Sequence, residues 1–479
     1  MSAPSQIKHG LCGLATELIH MIAGKLSSRE DLKALSLTCY GLAAISRGFL
    51  YEEPEVTDDN ITGFLTTLLL KPEYESKVKC LTVNLESIDA ATSNWAVDYR
   101  MMRGNNPTTS LADNNTQGDF TSAAIAAMGP AITAGLKAFW LNLIHQGNTD
   151  AAFALLLCVV PRLPRLQVIT KCMGDSGFGF MEHVLGLASG HTLGLEKLSI
   201  LKNLKEVSIV LDSDSQQYGH DSFAALALLL AAPALQNFST QALTTPNRLH
   251  LLPENLSIKN LSVQAYESNP VFIASVVLSS QDLKSLNATF AWATGHTEHW
   301  FDVVVPALLT RASSLERLSL SVDTVNAFDV TNFTGMPVLI EDLSALRSLT
   351  YLKIPQFVLI GFPAFDPASL HTMGDKPFWS RLPRSLVRLE LSGASSHFVD
   401  YLRDLTATSN SSFPRLIAVT IHFVELGSND KETGDFEGTL LQLRRYFRTE
   451  MGLVLAWTRP TTPDEELNEF FKENEEADY

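Results

Sequence analysis

Leu315-Glu316-Arg317-Leu318-Ser319-Leu320 and, 34 residues further on, Leu349-Thr350-Tyr351-Leu352-Lys353-Ile354 share one six-residue pattern, apolar-x-x-apolar-x-apolar. The last two apolar positions alternate with polar neighbours. A short strand would therefore turn them to one face and their neighbours to the other. The same pattern begins at Val78, Leu163, Leu195, Leu204, Leu235 (imperfect at its last position, Thr240), Ile258, Leu283, Leu386 and Leu416, so eleven copies cover about 340 residues. In the second half the copies start at 258, 283, 315, 349, 386 and 416, in steps of 25, 32, 34, 37 and 30.

Internal repetition outranks any single motif in choosing a fold. Helix-like runs lie between the copies, at Asp221–Ala232, Pro270–Ser280, His299–Ala312, Pro337–Leu346 and His397–Thr406. Strand, turn and helix in alternation resemble a leucine-rich repeat. The resemblance implies an α/β repeat fold, an irregular solenoid over residues 53–460 with strands concave and helices convex. The steps mostly exceed the ~20–29 residues of such repeats, and the Asn/Cys of the fuller consensus is largely missing, so insertions are expected at the turns. The competing reading is an ordinary α/β domain with Leu-rich strands. Arg103–Gly118 is polar and aperiodic, which predicts an inserted loop. Residues 461–479 form an acidic tail; Pro463–Tyr479 carries eight carboxylates and one Lys, which predicts a solvated or disordered segment.

The 479 residues carry 36 Lys+Arg against 52 Asp+Glu, a net charge of −16, which argues against binding nucleic acid or anionic membrane. The longest apolar runs, Ala123–Leu136 and Phe223–Leu235, fall short of a spanning helix and are interrupted by Pro130 and Pro233. The N-terminal stretch MSAPSQIKHG lacks a basic cluster followed by an apolar run, which predicts no secretory leader. Five cysteines, none in CxxC spacing, suggest neither a disulfide framework nor a zinc ribbon. The expected location is cytoplasmic or nuclear, not secreted.

Residues 10–52 read differently from the rest. Leu14, Leu18, Ile22 and Leu26 recur every four residues beside Ile19, the stripe of an amphipathic helix. Ser27 to Asp31 breaks that period and offers capping groups to a second helix bearing Leu32, Leu35, Ser36 and Cys39. A third short helix carries Leu42, Ile45 and Leu50, and the three are expected to fold as one unit with facing apolar stripes.

The stretch from Leu14 to Tyr51 resembles an F-box. Glu17, Leu18, Ile19, Ile22, Leu26, Asp31, Leu32, Leu35, Ser36 and Cys39 occupy the family's characteristic positions, while Ala15 stands where it usually has Pro and Leu42 where it usually has Trp. An F-box followed by leucine-rich repeats is the layout of substrate receptors of Skp–cullin–F-box ubiquitin ligases. The resemblance implies a Skp adaptor and a cullin scaffold as partners, with Leu14, Leu18, Ile19, Ile22, Leu26, Leu32 and Leu35 as adaptor-binding residues. The alternative is that these helices only cap the first repeat.

Two short matches to enzyme motifs are weak. Gly174-Asp175-Ser176-Gly177 looks like the surroundings of a serine nucleophile but lacks an upstream His segment, and is ordinary turn chemistry. His296 and His299 stand three apart, not four, and no third ligand follows, so no metal site is expected. No phosphate-binding Gly-rich motif occurs, and no cofactor or catalytic residue is expected. Recognition of a protein client then falls to the outward strand positions of the second half: Asn260, Ser262, Gln264, Arg317, Ser319, Ser321, Tyr351, Lys353, Arg388, Glu390, Thr420 and His422. Of these, Asn260, Gln264, Arg317, Tyr351, Lys353, Arg388, Glu390 and His422 are the client-binding candidates, because Tyr and Arg supply contact area and directed hydrogen bonds. The expected function is a non-catalytic ubiquitin-ligase receptor; the competing ones are a repeat scaffold without that role and, more remotely, a hydrolase built on Ser176.

Overall fold

The computed structural model describes residues 11, 14–26, 28–85, 115–130, 132–170, 201–211, 228–241, 255–265, 270–291, 298–323, 340, 342–360, 378–394, 398–408, 413–423 and 436–458. The chain divides into two compact units, Met1–Ser257 and Ile258–Tyr479.

The first unit opens with three helices, α1 (Thr16–Ala23), α2 (Arg29–Ser36) and α3 (Tyr40–Leu50). A parallel ladder follows, β1 (Glu55–Thr57), β2 (Cys80–Leu85), β3 (Arg165–Thr170), β4 (Glu206–Leu211) and β5 (Asn237–Thr240), each strand paired with the next in chain order. Between strands lie α4 (Ile61–Leu70) and, before β3, α5 (Asn115–Ala127), α6 (Ala134–His145) and α7 (Thr149–Val159). Helix α7 is buried from Asp150 to Val159, as expected of a helix apolar all round. Trp140 of α6 donates its indole N–H to the Ala151 carbonyl at 2.7 Å, so even this buried polar edge is satisfied.

The second unit is a longer ladder of the same kind: β6 (Asn260–Ala265), β7 (Ser285–Ala291), β8 (Arg317–Asp323), β9 (Tyr351–Pro355), β10 (Arg388–Ala394), β11 (Ala418–Phe423) and β12 (Val454–Thr458). Its helices are α8 (Pro270–Ser279), α9 (Glu298–Leu309), α10 (Gln356–Ile360), α11 (Phe398–Thr408) and α12 (Phe436–Glu450). Asn260 pairs with Ser285, Ser285 with Arg317, Arg317 with Tyr351, Tyr351 with Arg388 and Arg388 with Ala418. The ladder therefore advances by the same 25, 32, 34, 37 and 30 residues as the sequence motif. Leu315, Leu318, Leu320, Leu349, Leu352 and Ile354 are each 0% exposed, the interior that the motif encodes. Parallel strands paired in chain order, many of them joined through helices, give each unit a solenoid-like α/β character.

The turns repeat as faithfully as the strands. Lys284 and Ser285 both donate their N–H to the Lys259 carbonyl, Glu316 and Arg317 to Lys284, Thr350 and Tyr351 to Glu316, and Val387 and Arg388 to Thr350. A short polar residue just ahead of a motif often adds a bond to the preceding coil. Asn203 Nδ2 donates to the Pro161 carbonyl at 3.2 Å, Ser257 Oγ to Pro233 at 2.9 Å, Ser348 Oγ to Ser313 at 2.7 Å and Ser385 Oγ to Leu349 at 2.7 Å. These side chains do the carbonyl-satisfying work for which the missing consensus Asn is suited.

The structure departs from the sequence expectations in several places. The polar stretch 103–118 ends inside a helix, since α5 begins at Asn115; residues 103–114 lie outside the described part. The run Pro337–Leu346, expected to be helical, holds turns where it is described, and Asp342 Oδ1 accepts the Ser344 N–H at 2.8 Å, a local turn bond that competes with a helix. Strands β1 and β12 lack the motif and were not foreseen; each buries a single apolar residue, Val56 in β1 and Leu455 in β12. The copy at Leu195–Ile200, Ser176, His296 and the tail 461–479 lie outside the described residues.

Candidate docking surfaces

The three N-terminal helices close around Ile19, Ala23, Leu32, Leu35 and Leu42, with Leu26, Cys39, Ile45, Phe49 and Leu50 packed against them. Ser28 caps α2, its Oγ accepting the Asp31 N–H at 3.4 Å. The face that α1 turns inward is rotated from the stripe Leu14, Leu18, Ile22 and Leu26. Ile19 and Ala23 lie on the packed side, at 8 and 1% exposure, with Phe49 of α3 packed against them. One residue along a helix turns the face by about 100°. Leu14, Leu18, Met21 and Ile22 are thus left outside, at 40, 43, 60 and 37% exposure. Leu37 and Tyr40, at the turn between α2 and α3, are 86 and 90% exposed. Among the predicted adaptor residues, Leu14, Leu18 and Ile22 are at the surface, Leu26 is half-buried, and Ile19, Leu32 and Leu35 are buried behind them.

The helices are also fastened to the ladder behind them. Tyr51 stacks on Tyr74 with ring centroids 4.2 Å apart and on Phe64 at 5.8 Å. Arg29 meets Glu55 at 3.5 Å, and the Glu52 carbonyl accepts the N–H groups of Lys79 and Cys80.

In the second unit the register gathers the outward strand residues into rows. Asn260, Ser285, Arg317, Tyr351, Arg388, Ala418 and Val454 stand side by side, and Ser262, Asn287, Ser319, Lys353, Glu390, Thr420 and Ala456 form the next row. Asn260, Gln264, Arg317 and Arg388 are exposed, while Tyr351, Lys353, Glu390 and His422 are half-buried. These last four come together. The Tyr351 hydroxyl donates to Glu390 Oε2 at 2.7 Å, Lys353 Nζ lies 2.5 Å from Oε1, and His422 Nε2 lies 3.0 Å from the same oxygen. His422 Nδ1 sits 2.6 Å from Thr458 Oγ1 of β12. A break of register between Leu391 and Ala394, with Gly393 at φ 63°, bends β10 beside this cluster.

Burial would raise the Glu390 carboxyl, but the hydrogen bonds from Lys353, Tyr351 and His422 outweigh it and hold the carboxyl below its ordinary value. The Tyr351 phenol is pushed up to about 12, by burial first and then by its hydrogen bond to the charged Glu390, with Arg317 and Arg388 acting in the opposite sense. Lys353 pairs with Glu390, and Arg317 and Arg388 act on the neighbouring Tyr351. Thr458 was not foreseen, because the strand that carries it has no motif.

Among the described residues no group of three or more His, Cys, Asp and Glu side chains could hold a metal ion, and no helix is long and apolar enough to cross a membrane. Burial pushes the Cys158 thiol up to about 12. No family model matches the chain, and no curated protein is significantly similar to it in sequence.

Proposed function

We propose that the chain is a non-catalytic substrate receptor of a cullin-type ubiquitin ligase. Its N-terminal helices dock a Skp adaptor, and its strand face holds a protein client. The observation that carries this reading is the apolar row Leu18, Met21 and Ile22, exposed on a helix whose own core is closed on another side, with Leu14 exposed just ahead of that helix. Lone exposed apolar residues need no explanation, but a row on one helix face suits a partner's apolar groove. Buried Ile19, Leu32 and Leu35 then support the contact from behind. The position where an F-box usually has Pro suits the reading as well, for Ala15 has φ −61°, a value a proline ring would impose. Leu42, in the place of the usual Trp, is 2% exposed and fills the same core.

On the client side, the row Arg317, Tyr351 and Arg388 presents an aromatic ring between two exposed guanidinium groups. That combination favours an acidic client segment. Ubiquitin transfer then needs only proximity, the receptor holding a client Lys near a thioester on another subunit.

A cap-only role is the second reading, and the Tyr51 stack on Tyr74 and Phe64 favours it. It leaves the apolar row without a purpose. Binding of the full chain to a purified Skp adaptor decides between them. With two central apolar anchors at about 1.4 kcal/mol each or more, Leu18→Asp/Ile22→Asp is expected to weaken binding about 100-fold while circular dichroism stays unchanged. No binding by the wild-type chain, or equal binding by the variant, would leave the scaffold.

A further inference from the structure

A cavity of about 540 Å³ opens on the turn side of the second unit, lined by Ser344, Arg347, Trp379, Ser380, Leu382, Arg384, Ser385 and Phe413. Arg347 and Arg384 occupy the same place in consecutive coils. Each stands four residues ahead of a paired strand residue, Tyr351 and Arg388, and two ahead of the first Leu of its motif. Neighbouring strands lie about 4.8 Å apart, so the two guanidinium groups issue from adjacent rungs. Both side chains are exposed at the cavity, and among the described residues neither guanidinium has a carboxylate partner.

Like charges on adjacent rungs repel unless something lies between them. The floor beneath is rigid: Trp379 donates its indole N–H to the Tyr401 carbonyl at 2.8 Å and meets Phe413 and Phe398 at 6.1 and 6.5 Å. Ser385 Oγ is committed to the Leu349 carbonyl, while the exposed Ser344 adds a hydroxyl at the rim. Asp342, the carboxylate on that turn, accepts the Ser344 N–H.

The geometry points to an oxyanion site: the cavity takes a phosphate-type group, bridged by Arg347 and Arg384 and assisted by the Ser344 hydroxyl. Guanidinium suits this task because its planar fork meets phosphate oxygens two at a time. The cavity has room for the group and part of whatever carries it, a phosphorylated side chain or a free phosphate. The site stands whether or not the chain docks an adaptor.

Calorimetric titration of the full chain at fixed ionic strength tests it, with inorganic phosphate in one arm and a short phosphoserine peptide, with its unphosphorylated twin, in the other. Two variants are compared, Arg347→Gln/Arg384→Gln at the cavity and Arg445→Gln/Arg448→Gln on the exposed face of α12, which remove the same charge. The expected result is binding of at least one phosphate probe that falls 10-fold or more in the cavity variant and persists in the α12 variant. Tighter binding of the phosphopeptide than of inorganic phosphate assigns the site to a phosphate ester; binding of inorganic phosphate alone assigns it to the free ion. Absence of binding by the wild-type chain, or equal loss in both variants, overturns the proposal.

Discussion

Glu390 is the residue on which the strand face turns. It accepts from Tyr351, Lys353 and His422, so a change there should be felt by all three. The raised Tyr351 pKa means that the fold favours the neutral phenol. That contribution to stability is complete below the ordinary tyrosine range, near pH 10, and is lost as pH rises toward about 12. Glu390 contributes in the opposite sense: its lowered pKa gives stability above the ordinary carboxylate range that is lost as pH falls through its folded value. The difference in phenolate absorbance between the wild type and Tyr351→Phe is expected to titrate near 12, and in Glu390→Gln the same signal should titrate lower. An unmoved midpoint would show that burial alone sets it. The sequence identified Tyr351, Lys353, Glu390 and His422 as outward-facing because strand alternation is legible from polar and apolar order. Their meeting was not legible, since it depends on a 37-residue step between β9 and β10 and on the bulge at Gly393.

At the scale of the element, the repeat is held as much by its turns as by its Leu residues. Ser385 donates to a carbonyl of the preceding coil, and Ser348 does the same one coil earlier. Ser385→Ala is expected to cost about 1 kcal/mol by urea unfolding, the usual net worth of such a bond. Ser313→Ala, at an exposed hydroxyl, should change the midpoint little. Equal effects would mean that the serine ladder is incidental. The strands were readable because LxxLxL places three buried residues at fixed spacing. The short polar residue ahead of several motifs, Asn203, Ser257, Ser348 and Ser385, carries the signal for those turns in the sequence. β12 escaped for a different reason: Val454-Leu455-Ala456-Trp457-Thr458 turns Val454 outward at 61% exposure and puts Trp457 on a half-buried position, which blurs the alternation. In α1 the stripe every four residues was real, but sequence spacing could not tell the packed face from the free one, and the packed face is that of Ile19 and Ala23.

Across the whole molecule, each unit carries one of the two faces that the proposed function requires. Residues 1–257 hold the apolar row of α1, and residues 258–479 hold the cationic strand face and the arginine-lined cavity. The chain is acidic overall, at −16, so the cations gathered around Tyr351 stand against the general charge and favour an acidic client over other surfaces. The solenoid-like ladder was legible from repetition, which sums many weak signals. The proposed partner rests only on a short resemblance and on which side of α1 stays free. Hydrogen exchange of the full chain with and without a purified Skp adaptor tests this most directly. The account predicts slowed exchange in the segments containing Leu14 to Gly24 and Leu37 to Tyr40, with β6 to β12 unchanged. Protection confined to the strands, or none under conditions where the two proteins are shown to bind, would contradict it.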